Sequence, residues 1–311
     1  MNFLLTGAAG FIGSHLVEKL NKDNHSIICV DDLSTGYKDY LPKDDNLLFI
    51  NEKIQNHDIL KLPDNVNGIL HLASQASVPV SIENFFSSSS NNLLSSIRIF
   101  ELAKLYNVPV VYASSSAVYG NLPIGNDQKE HYDILSPYAQ DKLTIEHYAK
   151  MCWDVYKIPS IGLRFFNVYG PRQDPTNPYS GVISIFIDRL LNNKPVTING
   201  GYQTRDFIFV EDIINVMVQS MEYLFNKRLC EFLNVGTGIS ITIDNLLKIN
   251  ASIMNIKPEI IRKKLPEGDP ERSEGTYNKL KNILSIDIDK FVKLEDGLRA
   301  TIDYIKNEQR Q

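Results

Sequence analysis

Short apolar runs and helix-length segments alternate along the first half of the chain. Asn2–Thr6 is an apolar run that leads into glycines, and Phe11–Asn21 follows with Ile12, Leu16, Val17 and Leu20 at helical spacing. Ser26–Val30 is rich in β-branched residues and ends in Asp31-Asp32. Leu47–Ile50, Gly68–Leu72, Pro109–Ala113 and Ser160–Phe165 are further runs, with helix-length segments at Asn92–Tyr106 and Ser136–Tyr156. Strands covered on both faces read as continuous apolar runs, and parallel neighbours need helical crossovers. The pattern predicts an α/β fold with a doubly wound parallel sheet.

After Asn167 the texture changes. Gly170-Pro171-Arg172-Gln173-Asp174-Pro175, on to Gly181, is rich in Pro, Gly and polar residues and reads as loop. Beyond it the pattern predicts helices around Val182–Leu191, Glu211–Phe225 and Asp244–Asn255, and strands near Val196–Ile198, Phe207–Val210 and Phe232–Asn234. These compose a smaller α/β domain, so the expected division is 1–168 and 169–311, with a soft boundary that the chain can cross more than once. Ser87–Ser90 reads as a surface turn before a helix. There is no internal repeat.

A length of 311 residues suits about two domains at roughly 150 residues each. The apolar fraction of 43% excludes a disordered chain. A net charge of −5 without basic runs argues against gripping nucleic acid or anionic lipid through bulk charge. Cys29, Cys152 and Cys230 are too far apart for a CxxC or zinc pattern, so neither a metal site nor a disulfide framework is expected. No run approaches the ~18 apolar residues of a membrane helix. Met1–Ile12 lacks a basic start and is broken by glycines, and so reads as strand and loop rather than as a signal peptide. The expectation is a soluble cytoplasmic protein.

Gly7-Ala8-Ala9-Gly10-Phe11-Ile12-Gly13 follows a strand and opens a helix. Gly7 permits the tight turn, Gly10 lets a pyrophosphate approach the backbone, and Gly13 lets helix and strand pack closely, with the helix N-terminus facing the anion. A glycine turn alone would be ordinary. Here a second strand ends in Asp31, about 20 residues on, where a carboxylate suits the adenosine ribose and repels a 2′-phosphate. NAD is favoured over NADP, since the first basic residue after Asp31 is Lys38.

Tyr138 and Lys142 stand at i and i+4 near a helix start and share a face. A nearby ammonium favours the phenolate, so the spacing predicts a lowered Tyr138 pKa and a general base. The same spacing arises on many helices. Val110-Val111-Tyr112-Ala113-Ser114-Ser115-Ser116 ends a strand, where open α/β sheets hold ligands, although a plain serine turn has the same composition. The four features together, in this order, are far more specific than any one.

On these residues the chain resembles the extended short-chain dehydrogenase/reductases, and among them the nucleotide-sugar (UDP-hexose and UDP-N-acetylhexosamine) 4-epimerases. The resemblance spans nearly the whole chain through Thr6–Gly13, His71-Leu72-Ala73, Ser114–Gly120, Tyr138 with Lys142, Arg164-Phe165-Phe166-Asn167 and Thr204–Asp212. It implies a Rossmann-type sheet with a smaller substrate-binding domain, and Ser115, Tyr138 and Lys142 as catalytic residues. In the mechanism it implies, Tyr138 takes the proton of the sugar 4-hydroxyl as the C4 hydride passes to NAD. The 4-keto sugar turns over, and the hydride returns to the other face. By the same resemblance Gly7, Gly10, Phe11, Ile12, Gly13, Asp31, Asp32, Ser34, Thr35, Gly36, Ile54, Leu72, Ala73, Ser74, Asn92, Ser114 and Phe165, with Tyr138 and Lys142, bind the cofactor. Ser77, Ser115, Ser116, Tyr138, Asn167, Val196, Thr197, Arg205, Arg272 and Ser273 take the UDP-sugar, Asn167 and Arg205 at the diphosphate. The alternative pairing for Arg205 is its neighbour Asp206.

Departures from the family pattern refine the expectation. Sugar 4,6-dehydratases carry an acid where this chain has Ser116 and Ala117, so a 4-epimerase ranks above a dehydratase, and the intact Ser115, Tyr138 and Lys142 argue against a non-catalytic NAD-binding protein. In Gly268-Asp269-Pro270-Glu271-Arg272-Ser273, Pro266 stands where relatives have Arg, and Arg272 is the candidate replacement. Small Ser273, where relatives restricted to plain hexoses carry Tyr, leaves room for a 2-N-acetyl group, and Ser77 offers a hydroxyl to it. UDP-GlcNAc/UDP-GalNAc is the expected pair, with UDP-Glc/UDP-Gal alongside. Lys53-Ile54 replaces an Asp-Ile or Asp-Leu pair that meets the adenine, leaving the Ile54 backbone to serve. The helices near Asn92–Tyr106 and Thr144–Tyr156 resemble those that pair into a homodimer, and family analogy points to cell-surface polysaccharide synthesis.

Overall fold

The computed structural model describes residues 1–56, 62–63, 65–177, 181–266 and 269–308. In chain order the elements are β1 (Asn2–Thr6), α1 (Phe11–Lys22), β2 (Ser26–Asp31), β3 (Leu47–Asn51), β4 (Gly68–His71), α2 (Val78–Glu83), α3 (Phe85–Tyr106), β5 (Val110–Ser115), α4 (Pro137–Tyr156), β6 (Ser160–Phe165) and β7 (Asn167–Tyr169). They continue with α5 (Val182–Leu191), β8 (Val196–Asn199), β9 (Thr204–Phe209), α6 (Val210–Asn226), β10 (Cys230–Val235), β11 (Ser240–Thr242), α7 (Ile243–Met254), β12 (Ile260–Lys263), α8 (Asn278–Leu284) and α9 (Leu294–Glu308).

A seven-stranded sheet in the order β10-β6-β5-β4-β1-β2-β3 forms the Rossmann-type core. Its strand β1 runs parallel to both neighbours, with Leu4 opposite Ile28 of β2 on one side and Ile69 of β4 on the other. Every residue of β4 and β6 is buried, Arg164 and His71 included, which is why neither strand shows the alternation of a half-exposed one. The order reverses between β1 and β4, and at such a switch point the loops leaving the strand ends diverge to leave a crevice.

The chain folds into two compact units. The first comprises Met1–Val118, Ser136–Arg164 and Ile214–Leu233, and the second Tyr119–Leu135, Phe165–Ile213 and Asn234–Gln311. The strand expected at Phe232–Asn234 in the smaller domain is β10, an edge strand of the large sheet. Its Phe232 lies against Gly162 of β6, where a Cβ would approach the ring to 3.1 Å. Ser87–Ser90, expected as a turn, is helical within α3, and Ser88 is buried and donates to Gln75 Oε1 at 2.9 Å. A serine hydroxyl that finds a partner within the fold does not compete for its own backbone, so the helix continues through it.

The second unit holds a three-stranded sheet, β11-β9-β7, and the parallel pair β12-β8. Its core joins Tyr169, Phe186, Leu190, Ile198, Phe209, Leu246 and Ile302 from strands and from α5, α7 and α9.

Candidate active site

The chain leaves β1 at Thr6 and turns at Gly7, whose φ of +69° and whose missing Cβ, which would lie 2.7 Å from the Ala73 nitrogen, leave room for no other residue. Gly7 N–H donates to the Val30 carbonyl and Gly10 N–H to the Gly7 carbonyl. A Cβ on Gly13 would sit 1.9 Å from the Gly7 oxygen, so α1 is seated directly on the turn. Gly10, at the start of α1, supplies no capping side chain, and the first-turn N–H groups at Phe11 and Ile12 are left for an anion.

Asp31 ends β2 and is buried. Its carboxylate accepts from Ala9 N–H at 2.9 Å and from Leu33 N–H at 2.8 Å, so it braces the glycine loop as well as standing where a ribose would sit. Burial raises its pKa, and those N–H bonds oppose the rise. Asp32 caps Ser34 N–H at 3.0 Å and its hydroxyl at 2.6 Å, while Ser34 and Thr35 are exposed. Gly36 packs on Ala9, and Tyr37 N–H donates to the Ala9 carbonyl. Lys53 is exposed, whereas Ile54 as a whole residue is buried in the core, 3% exposed.

On the other side of the switch point, Leu72 N–H donates to the Thr6 carbonyl and Ala73 N–H to Thr6 Oγ1 at 3.3 Å. Asn92 of α3 is fully buried behind this loop. Its Oδ1 accepts from Gln75 N–H and from Ser74 Oγ, and its Nδ2 donates to Asp141 Oδ2 at 3.1 Å. Asn92 thus holds the loop and α4 together. The glycine turn, the uncapped helix start and the acid at the end of β2 form a cradle that fits a dinucleotide.

Ser136 caps α4, its hydroxyl accepting from Ala139 N–H at 3.2 Å, and Pro137 opens the first turn. This fixes Tyr138 and Lys142 at the end of the helix beside β5. Ser115, the last residue of β5, lies beside Tyr138, where its side chain favours the phenolate, and accepts from Ala117 N–H at 3.1 Å. Ser116 opens the short turn Ser116–Tyr119. Lys142 Nζ donates to the Ala113 carbonyl at 2.9 Å and lies 5.6 Å from the centre of the Tyr138 ring.

The expected lowering of the phenol is not what the protein alone produces. Burial pushes the Tyr138 pKa up, the Ser115 side chain pulls it back, and Asp141 raises it further. Burial also pushes Lys142 down to about 8, against Asp141 and Glu146. Desolvation of a phenolate outweighs the neighbouring ammonium, whose donor is turned toward the Ala113 carbonyl.

Residues to which the sequence pattern assigned no role surround this group. Glu146 of α4 and Arg164 of β6 form an ion pair at 2.5 Å, each side chain 1% exposed, and Ser114 Oγ donates to Glu146 Oε1 at 2.6 Å. His71, at the end of β4, bonds Thr6 Oγ1 at 2.7 Å and Ser96 Oγ at 3.1 Å, and burial holds its pKa at about 3. The available signal was a charged residue one turn beyond Lys142 on the buried face of α4.

In the second unit Arg205 does not pair with Asp206. Its Nη1 donates to the Thr204 carbonyl at 2.7 Å, and its Nη2 is ion-paired to Asp269. Asp206 points to the other side of β9, as alternate strand residues must, and accepts from Thr237 Oγ1 at 2.6 Å and Tyr277 OH at 2.5 Å. Asp269 and Arg272 line a cavity of about 570 Å³ with Asn121, Pro123, Tyr202, Leu265 and Glu271. The Ser273 carbonyl accepts from Ser240 Oγ at 3.0 Å, while Gly268 lies outside the described residues. Val196 is fully buried and Thr197 exposed on β8, and Asn167 begins β7. Buried Phe165 closes β6. In the first unit Ser77 caps α2, accepting from Val80 N–H at 3.3 Å, which leaves its O–H free to donate.

Residues 3–236 match the model of the NAD dependent epimerase/dehydratase family. The chain is 36% identical over 317 residues to a putative UDP-glucose 4-epimerase of Methanocaldococcus jannaschii, covering 99% of each chain. Among solved structures it resembles a UDP-N-acetylglucosamine 4-epimerase of Methanobrevibacter ruminantium in complex with UDP-N-acetylmuramic acid. That likeness has a TM-score of 0.91 at 34% identity, with 99% of this chain and 98% of the other covered. It equally resembles a UDP-glucuronic acid 4-epimerase of Bacillus cereus in complex with UDP-glucuronic acid and NAD, at TM-score 0.91 and 31% identity over 99% and 100% of the two chains.

Proposed function

The chain belongs to the NAD dependent epimerase/dehydratase family, and from that premise we propose that it inverts C4 of a UDP-linked hexose. NAD, when bound, supplies the site that accepts and returns hydride. Tyr138 takes the proton of the 4-hydroxyl and later gives it back, and Ser115, beside Tyr138, holds the same oxygen. Lys142, anchored to Ala113, keeps a positive charge beside the phenol. The glycine turn and Asp31 hold the dinucleotide, and Arg205 and Asn167 meet the diphosphate. The observation that carries the reading is Tyr138, Ser115 and Lys142 gathered at the carboxyl end of β5. A dehydratase would need a carboxylic acid at the positions of Ser116 and Ala117.

We assign UDP-GlcNAc/UDP-GalNAc as substrates, with UDP-Glc/UDP-Gal turned over as well, because a serine at position 273 spares the volume that a tyrosine would fill. Incubation with each UDP-sugar and NMR resolution of products tests this directly: C4 isomers support it, and a 4-keto-6-deoxy product overturns it. Tyr138→Phe should retain bound NAD and lose turnover by about 10²-fold or more. Ser273→Tyr should depress turnover of the acetylated pair about tenfold or more while sparing the plain hexoses. Equal effects on both pairs would remove the basis for the assignment.

Two further assignments belong to this reading. The protein is cytoplasmic, where its three thiols stay reduced. It is a homodimer through α3 and α4. Phe86, Leu94, Ile97 and Leu105 form one exposed stripe on α3, and Tyr148, Met151 and Val155 another on α4.

A further inference from the structure

Beneath the reactive side chains lies a charged layer that the chemistry above does not use. Glu146 stands one turn beyond Lys142 on α4. Its Oε1 accepts from Ser114 Oγ at 2.6 Å and from Arg164 Nε at 2.8 Å, and its Oε2 accepts from Arg164 Nη2 at 2.5 Å. Arg164 rises from β6 with its guanidinium over the Phe232 ring of β10, 5.7 Å from the centroid. Three elements, β5, α4 and β6, therefore meet at one carboxylate, and β10 packs on the guanidinium that clamps it. Isolated burial of either ion would be prohibitive, and apolar residues of similar volume would pack the site at least as stably. Stability alone is therefore a poor reason for an ion pair here. Its contacts lead instead to the strand end that carries Ser115 and to the helix face that carries Lys142.

We propose that Glu146, clamped by Arg164, is a positioning residue for the C4 chemistry. It holds the end of β5 in register with α4 through Ser114, and it places a carboxylate one turn from Lys142. The proposal rests on the epimerase reading. The groups that meet Lys142 are Tyr138, Asp141 and Glu146 from its own helix, His71 from β4 and the Ala113 carbonyl of β5, while Arg164 of β6 pairs with Glu146. His71 is neutral at working pH, so the two carboxylates are the groups that oppose the burial of Lys142.

The test uses the NAD-loaded full chain and three variants: Glu146→Gln, Ser114→Ala and the paired Glu146→Gln/Arg164→Met. The Lys142 titration is read by NMR of ¹³Cε-labelled lysine, assigned by its loss in Lys142→Met, and so needs no turnover. In Glu146→Gln the Lys142 midpoint should fall by about half a pH unit or more, and the alkaline limb of the kcat profile should fall with it. Its kcat should drop about tenfold or more while KM stays within about threefold, because the reacting groups are misplaced rather than the substrate lost. Ser114→Ala should lower kcat and leave the Lys142 midpoint where it was. The paired variant keeps the volume without a lone buried charge and, should the single variant not fold, decides the matter: lowered kcat with parental NAD content supports the proposal, and parental kcat overturns it. An unmoved Lys142 midpoint in a folded Glu146→Gln protein also overturns it. Absence of turnover in the parent would instead defeat the epimerase reading, and the lysine titration would still decide the role of Glu146.

Discussion

Single residues in this protein are governed by how burial and partners divide a charge. Asp212, in the first turn of α6, is 6% exposed and accepts from Val292 N–H at 2.9 Å, yet burial and neighbouring Glu211 push its pKa up to about 6. A carboxyl whose folded pKa lies above its unfolded value contributes its full stability below about pH 4, and that contribution is lost as pH rises through about 6. Asp212→Asn should therefore leave stability unchanged near pH 4 and raise it above pH 6, by at most about 3 kcal/mol. Urea unfolding at pH 4 and pH 7.5 reads the difference, and an equal effect at both would show that the carboxyl is not penalised. Arg205 follows the same logic. Its neighbour in sequence, Asp206, is unavailable because the strand turns it away, and the partner it takes is 64 residues further along.

At the scale of elements, β1, the glycine turn and α1 act as one piece. The close seat of α1 on the turn comes from Gly13, whose Cβ would fall 1.9 Å from a backbone oxygen that cannot move without opening the turn. Gly13→Ala should displace α1, cost about 2–3 kcal/mol in unfolding experiments and lower the NAD content of the purified protein. Normal stability with normal NAD content would show that the turn has slack. These elements were legible in the chain because β1, β6 and α5 have the very limits that their apolar runs predict, Asn2–Thr6, Ser160–Phe165 and Val182–Leu191. Ser87–Ser90 was not legible, because the partner that Ser88 takes is Gln75, in a loop that Asn92 holds in place.

For the whole molecule, the exposed apolar stripes on α3 and α4 are the surface that the proposed dimer would cover. Phe86 is 85% exposed and Val155 62%, a waste of apolar surface in a monomer. Sedimentation equilibrium should give a dimer, and Leu94→Asp with Val155→Asp should give a folded monomer whose thermal unfolding no longer depends on protein concentration. A parent that sediments as a monomer would refute the dimer. The division of the chain belongs to the same scale: Ile214–Leu233, well past residue 168, groups with the first unit and brings β10 to the large sheet.

What the chain order alone determined is everything that depends on a few neighbouring residues. The glycine turn, the apolar strands, the capped start of α4 and the shared face of Tyr138 and Lys142 all follow from periods and turn chemistry that act over one or two helical turns. Only the folded structure decided how deep each charge lies and which distant group meets it. It turned Asp31 back onto Ala9, paired Arg205 with Asp269, placed the Glu146–Arg164 pair under Ser114, and set burial above the lysine charge at Tyr138. Desolvation and hydrogen bonding act through space, so their outcome is fixed by segments that the order of residues does not place side by side.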